Sequence, residues 1–331
     1  MRNHRILLAA RPSGLPKASD WELSTVPVPV PEPGGFVVAV EYVSVDPAMR
    51  RWIAASPVGT APVAIGAVME AGAIGRVTAS EHPAFAVGEH LYGAFGVQEY
   101  AASDGAGVTR LDPSLAPLTA YLGALGITGL TAYFGLLDVG RASAGDTVVV
   151  SAAAGAVGSV AGQIARIRGC RVIGIAGGPE KCRWIVDELG FDAAIDYRAG
   201  DVAQRVKELA PDGVDVFLDN VGGEILDAVL LHLARGARVV LSGGLSQYNA
   251  DRPSGPSNYL QLLWQRASMT GFLTPDYEDR YPEARAELAA LLQDGRLISR
   301  EQIVEGGVRA FPELLPMVFG GANTGKLILA I

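Results

Sequence analysis

A chain of 331 residues is long enough for two domains, each with its own core. Its composition, 49% hydrophobic and 19% charged, is that of a globular protein and excludes a disordered one. The net charge of −8, with no cluster of Lys or Arg, excludes nucleic acid and an anionic membrane surface as partners.

The chain opens with an apolar run at 6–10 that Arg11 ends, too short for a signal-peptide core. Pro27, Pro29, Pro31 and Pro33 form an extended lead-in that is neither helix nor central strand. Gly34-Gly35 then turns the chain into 36–45, which alternates as a strand. Further short strands are expected at 74–78, 89–92 and 97–101, and together they predict a small β-barrel-like domain. Residues 118–137 carry no charge and have the length of a membrane span. Gly123, Gly126, Gly129 and Gly135 interrupt them and no basic residue anchors them, which predicts two short buried helices in a soluble chain.

From Thr147 the pattern becomes strand–helix alternation and predicts an α/β fold with a doubly wound parallel Rossmann sheet. Strands are expected near 147–151, 171–176, 193–196, 214–219, 237–242 and 268–273. Helices are expected at 157–168, 179–189, 201–210, 223–234, 257–267 and 282–294. A last strand at 326–331 returns to the first domain. The domains read as 1–120 with 305–331, barrel-like and substrate-binding, and 121–304, dinucleotide-binding. Cys170 and Cys182 fall on a strand and a helix; two cysteines make no disulfide framework, and a reducing cytoplasm is the simpler location.

The organising stretch is Val150-Ser-Ala-Ala-Ala-Gly-Ala-Val-Gly158. A strand that runs through glycines into a helix offers free N–H groups and the positive end of the helix dipole to an anion. A dinucleotide fingerprint asks for glycine at three places, and here Ala153, Gly155 and Gly158 hold them. Ala154, Gly155, Ala156, Val157 and Gly158 are therefore candidates for the pyrophosphate. The second strand ends in Gly177-Gly178, where NAD enzymes place a carboxylate for the ribose 2′-hydroxyl. Without that carboxylate, and with Lys181 following, NADP is favoured over NAD.

These stretches, with Gly129-Leu-Thr-Ala-Tyr-Phe-Gly-Leu-Leu137, Asp219-Asn-Val-Gly-Gly-Glu224 and Gly320-Gly-Ala-Asn-Thr-Gly-Lys326, resemble one family in order along essentially the whole chain. It is the zinc-free branch of the medium-chain dehydrogenases/reductases that includes prostaglandin reductases and alkenal double-bond reductases. The resemblance implies a chaperonin-10-like N-terminal barrel closed by the C-terminal tail, a Rossmann domain for NADPH, and a homodimer. By position it implies that Lys181 and Tyr197 contact the adenosine 2′-phosphate, and that Asn220 and Asn323 lie near the nicotinamide and pyrophosphate. Thr131 would lie near the nicotinamide, and Ser242, Gly243 and Tyr248 would border the cofactor cleft. Taken alone, each asparagine reads as a turn residue.

Two departures from the family bear on the substrate. Ala48, in Asp46-Pro-Ala-Met-Arg50, stands where members often carry a tyrosine, and Trp264, eight residues before Phe272, where some members do. The usual hydroxyls for a substrate carbonyl are thus missing, and no residue stands as a catalytic acid. Tyr259 is a candidate for a substrate role, but five helical residues from Trp264 turn it through about 500° to another face. Ala48, Met49, Trp52, Trp264 and Phe272 would line the pocket. With two cysteines and four dispersed histidines (His4, His82, His90, His232), no zinc site can be assembled.

An NADPH site without zinc points to α,β-unsaturated aldehydes or ketones, which take hydride at the β-carbon without a Lewis acid. The developing enolate then needs hydrogen-bond donors in a water-poor cleft, the first choice here being the nicotinamide ribose 2′-hydroxyl. Quinone reduction, and a catalytically slow NADPH-binding sensor, remain the alternatives.

Overall fold

The computed structural model describes residues 1–54 and 62–331. The chain forms two compact units, residues 1–122 with 301–331, and residues 123–300.

In the first unit β1 (Arg2–Leu8) pairs antiparallel with β2 (Trp21–Pro27), Arg2 lying opposite Pro27. Pro27 thus ends an edge strand, a place where its missing N–H costs no ladder bond. The 6–10 run belongs in part to β1, which the sequence reading did not assign. β3 (Phe36–Ser44) is the hub, and Gly34 turns the chain into it at φ +79°. After β3 come α1 (Met49–Trp52), β4 (Ala73–Ser80), β5 (His90–Gly93), β6 (Tyr100–Ser103) and the short β7 (Thr109–Arg110). β4 and β6 both pair antiparallel with β3. The strand expected at 97–101 starts late, because Val97 bonds instead to Ile6 and Met69 in irregular backbone.

The second unit begins within the uncharged stretch, where α2 (Ile127–Phe134) runs into a π-helical turn at Gly135–Val139. Next come β8 (Thr147–Ser151), α3 (Ala156–Ile167), β9 (Arg171–Ala176), α4 (Pro179–Asp187), β10 (Ala193–Asp196) and α5 (Val202–Leu209). Then follow β11 (Val214–Asp219), α6 (Gly223–Leu230), β12 (Leu233–Leu241), α7 (Gln261–Gln265), β13 (Ser268–Gly271) and α8 (Tyr281–Gln293). The six strands form one parallel sheet in the order β10-β9-β8-β11-β12-β13. Val148, Val149 and Val150 are fully buried, as a central strand covered on both faces requires. The chain winds outward from β8 through β9 to β10, then from β11 to β13 on the other side. The reversal leaves a crevice at the ends of β8 and β11, the general ligand site of such sheets.

Two helices are shorter than expected. The helix expected at 223–234 stops at Leu230, because β12 begins at Leu233 opposite Val214 and shifts register before Arg238 pairs with Val216. That extension of β12 is a bulged piece that carries Gly236 at φ +79°. The helix expected at 257–267 is reduced to Gln261–Gln265, with Arg266 in the left-handed region ending it.

The chain returns to the first unit with β14 (Glu301–Val304), α9 (Phe311–Gly320) and β15 (Lys326–Ala330). β15 runs parallel to β14 and antiparallel to β3, so the tail completes the sheet of that unit. The core there is built on Phe36, Val38, Met49, Phe311 and Leu329.

Candidate functional site

The glycine turn joins β8 to α3. Gly155 is the N-cap of α3 in extended backbone, and no side chain caps the helix. The first-turn N–H groups of Ala156, Val157 and Gly158 have no partner within the helix by construction. A Cβ at Gly158 would come within 2.4 Å of Ala152 O, so this glycine allows the close approach of helix to strand end. A Cβ at Gly155 would meet only Ala152 O, at 3.1 Å, and any larger side chain would fill the space before the helix. An uncapped helix of 12 residues behind a side-chain-free cradle fits a pyrophosphate.

The ends of β9 and β10 form the next part. A Cβ on Gly177 would lie 2.8 Å from the Tyr197 ring, which therefore closes directly over the strand end. Asp196 Oδ1 accepts the N–H groups of Gly178 (2.8 Å) and Arg198 (2.9 Å). Lys181, on the first turns of α4, is half-buried; burial and then the Arg198 charge push its ammonium below the ordinary lysine value.

At the crevice, buried Asp219 takes the Ser151 hydroxyl (2.7 Å) and the N–H groups of Val221 (3.0 Å) and Gly222 (2.9 Å). Burial nevertheless raises its carboxyl above the ordinary value. Asn220 donates its side-chain amide to Ser151 O at 2.8 Å. Ser242 and Gly243 both donate their backbone N–H to Asp219 O, and the Tyr248 hydroxyl accepts the N–H of Gly244. The Ser242 hydroxyl is buried with no partner among the described residues. The Thr131 hydroxyl donates to Ile127 O (2.7 Å) and lies 2.6 Å from the Thr274 hydroxyl. Thr131 has one proton, so Thr274 donates to it, and Thr131 offers a ligand a lone pair. Ser151, Asp219 and Thr274 are supporting residues that the sequence reading did not single out. Ser151 and Asp219 stood inside quoted motifs, whereas nothing local marked Thr274.

The remaining candidates separate by unit. Phe272 packs edge-on to Tyr277, near where a Cβ on Gly135 would sit. Trp264 is 62% exposed on α7. Tyr259 lies in the turn before α7, also exposed, so the helical-rotation argument made for it does not apply. In the first unit Ala48 is the N-cap of α1, Met49 is wholly buried in the core, and Trp52 is half-buried against that core. The Asn323 amide donates to Gly325 O at 3.0 Å. Just after it, buried Lys326 donates to Val45 O (2.9 Å) and to Asp46 (2.8 Å), which fastens β15 to the turn leading into Ala48. Among the described residues no group of three or more His, Cys, Asp or Glu is placed to hold a metal.

A reversing parallel sheet with an uncapped glycine turn at its first strand defines a dinucleotide-binding protein of the Rossmann type. Comparison with known proteins narrows the class. Residues 4–111 match the family described as N-terminal domain of oxidoreductase, and residues 156–290 the one described as zinc-binding dehydrogenase. The chain is 38% identical to the NADPH-dependent curcumin reductase of Escherichia coli, over 100% of this chain and 97% of that one. It is 34% identical to the 2-alkenal reductase (NADP(+)-dependent) of Nicotiana tabacum, over 99% and 97%. The crystal structure of CurA from Vibrio vulnificus in complex with NADPH superposes with a TM-score of 0.93 at 41% identity, covering 100% of this chain and 99% of that one. The chain belongs to the medium-chain dehydrogenase/reductase family, in its zinc-independent branch, and is an oxidoreductase.

Proposed function

We propose that this chain reduces the C=C bond of α,β-unsaturated aldehydes and ketones, delivering hydride to the β-carbon without a metal. The chain is an NADP(H)-dependent reductase of its family. The enal and enone substrate class is supported by the similarity to the E. coli curcumin reductase and the tobacco 2-alkenal reductase. Its cofactor half is carried by one observation: a strand end with Lys181 and Tyr197 about Gly177, suited to a 2′-phosphate.

In this reading Ala154 to Gly158 hold the pyrophosphate, and Lys181 and Tyr197 hold the 2′-phosphate. Thr131, Asn220, Ser242, Gly243 and Tyr248 would border the nicotinamide half within residues 123–300, and Asn323 is the candidate that the tail would contribute. Residues 123–300 would be the cofactor domain, and the unit of 1–122 with 301–331 the substrate domain. When bound, the reduced nicotinamide supplies the hydride. The protein orients the reactants and excludes water. In the substrate unit Ala48 and Trp52 would supply apolar lining, with Met49 in the core beneath, and in the cofactor unit Trp264, Phe272 and Tyr259 are the candidates for substrate contact. Neither Ala48 nor Trp264 offers the substrate oxygen a hydroxyl, so turnover should be modest.

We further propose a cytoplasmic homodimer. The free thiols Cys170 and Cys182 support the location. The β13 edge of the sheet and the exposed Leu263 and Trp264 on α7 support the pairing. Among the described residues no helix is long and apolar enough to cross a membrane.

The test follows deuterium from 4-deuterated NADPH into medium-chain 2-alkenals and alkenones. Label at the β-carbon of the saturated product is expected. Label on the carbonyl carbon, giving an allylic alcohol, would mark a carbonyl reductase instead.

A further inference from the structure

We propose that Arg198 is a second cation of the adenosine 2′-phosphate site, required alongside Lys181 for preference of the phosphorylated cofactor. The inference rests on the NADP(H) reading of this cleft and concerns a residue to which no role has been given.

Arg198 follows β10, beside the end of β9, where sheets of this kind read the ribose 2′ position. Its backbone is anchored there, since its N–H donates to Asp196 Oδ1 at 2.9 Å. Its guanidinium carbon lies 5.6 Å from the centroid of the Tyr197 ring, within cation–π range. That ring is the one that closes over Gly177. Tyr197 therefore serves as a platform that holds a positive charge beside the strand end.

Charge explains why Lys181 does not suffice. A ribose phosphate carries close to two negative charges at neutral pH. The Asp196 carboxylate belongs to the same cluster, bonded to Gly178 and Arg198, and offsets one positive charge. A single ammonium meets only half of the dianion's charge. Arg198 makes the cluster net positive. A guanidinium also stays charged in any surroundings, whereas burial weakens the charged form of Lys181. Its planar fork suits two phosphate oxygens at once. Because Arg198 is exposed, salt screens part of its effect.

The experiment titrates the full chain and its Arg198→Gln, Arg198→Lys and Lys181→Gln variants by calorimetry at low and physiological salt. The probes are NADP⁺, NAD⁺, and the fragments 2′,5′-ADP and 5′-AMP. Arg198→Gln is expected to weaken NADP⁺ and 2′,5′-ADP by about 10- to 100-fold and flatten their salt dependence. NAD⁺ and 5′-AMP should be unchanged, and Arg198→Lys should retain part of the affinity. NADP⁺ affinity within twofold of wild type in Arg198→Gln, while Lys181→Gln loses it, overturns the role of Arg198. Equal losses for NADP⁺ and NAD⁺ overturn it too, by showing a merely structural contribution. Wild-type protein that binds NAD⁺ as tightly as NADP⁺ overturns the cofactor reading itself, before any variant is compared.

Discussion

Two glycines of one turn do different work, and substitution separates them. Gly155 faces the space in front of α3, where a Cβ meets one oxygen at 3.1 Å. Gly155→Val should leave the fold intact and reduce NADPH affinity by more than about 100-fold, since its branches occupy the pyrophosphate position. Gly158 faces the backbone: a Cβ there would come within 2.4 Å of Ala152 O and 2.8 Å of Ala153 Cα. Gly158→Ala should lower the melting temperature, the strain being worth about 1–3 kcal/mol. Fluorescence titration of NADPH and thermal unfolding on both variants check the pair. Normal cofactor binding by Gly155→Val would remove the premise of the site.

At the scale of elements, the loop after β11 is held by a carboxylate that has no cation bonded to it among the described residues. Burial raises Asp219 above its ordinary value, although Ser151, Val221 and Gly222 donate to it. A raised folded-state value means the folded chain holds a proton at a pH where the unfolded chain has released it. Stability from this group is fully present below the unfolded value of about 3.9 and is lost as pH rises through the folded value. Asp219→Asn removes that dependence, so wild type should gain on the variant as pH falls from neutral. Thermal unfolding of both proteins from pH 8 to pH 4 measures it, and parallel curves would show that Asp219 does not titrate in this way. The shortened α7 belongs to the same scale. Its sequence, Gln-Leu-Leu-Trp-Gln, has helical propensity, but none of its residues is buried, so no core face extends it.

For the whole molecule, the sheet of the second unit ends at β13, and Leu263 and Trp264 on α7 are each more than 60% exposed. A second copy related by a two-fold axis would set this edge against its own counterpart, the arrangement an isologous dimer uses. Light scattering should give twice the chain mass for the protein at micromolar concentration, and one chain mass for Leu263→Asp. Wild-type protein that runs as a single chain would refute the dimer.

Local chemistry by itself determined much of this protein. The β-branched run at 147–150, the glycines after it and the strand–helix alternation specified a parallel sheet with an anion site at its first turn, because each signal acts within a few residues. Gly177-Gly178 and Lys181 likewise pointed to a phosphorylated ribose without reference to distant chain. Only the tertiary structure decided the rest. β1 and β2 form by pairing with each other, and β12 lengthens because β11 offers Val214 as a partner for Leu233. Thr131 becomes an acceptor through Thr274, 143 residues away, and Lys326 is held by Asp46 across 280. Met49 passed as pocket lining in the sequence and lies in the core, because an apolar side chain near a motif carries no mark of which way it faces. Arg198 stands beside Lys181 only because parallel pairing sets the end of β10 against the end of β9, and residue spacing alone does not encode that neighbourhood.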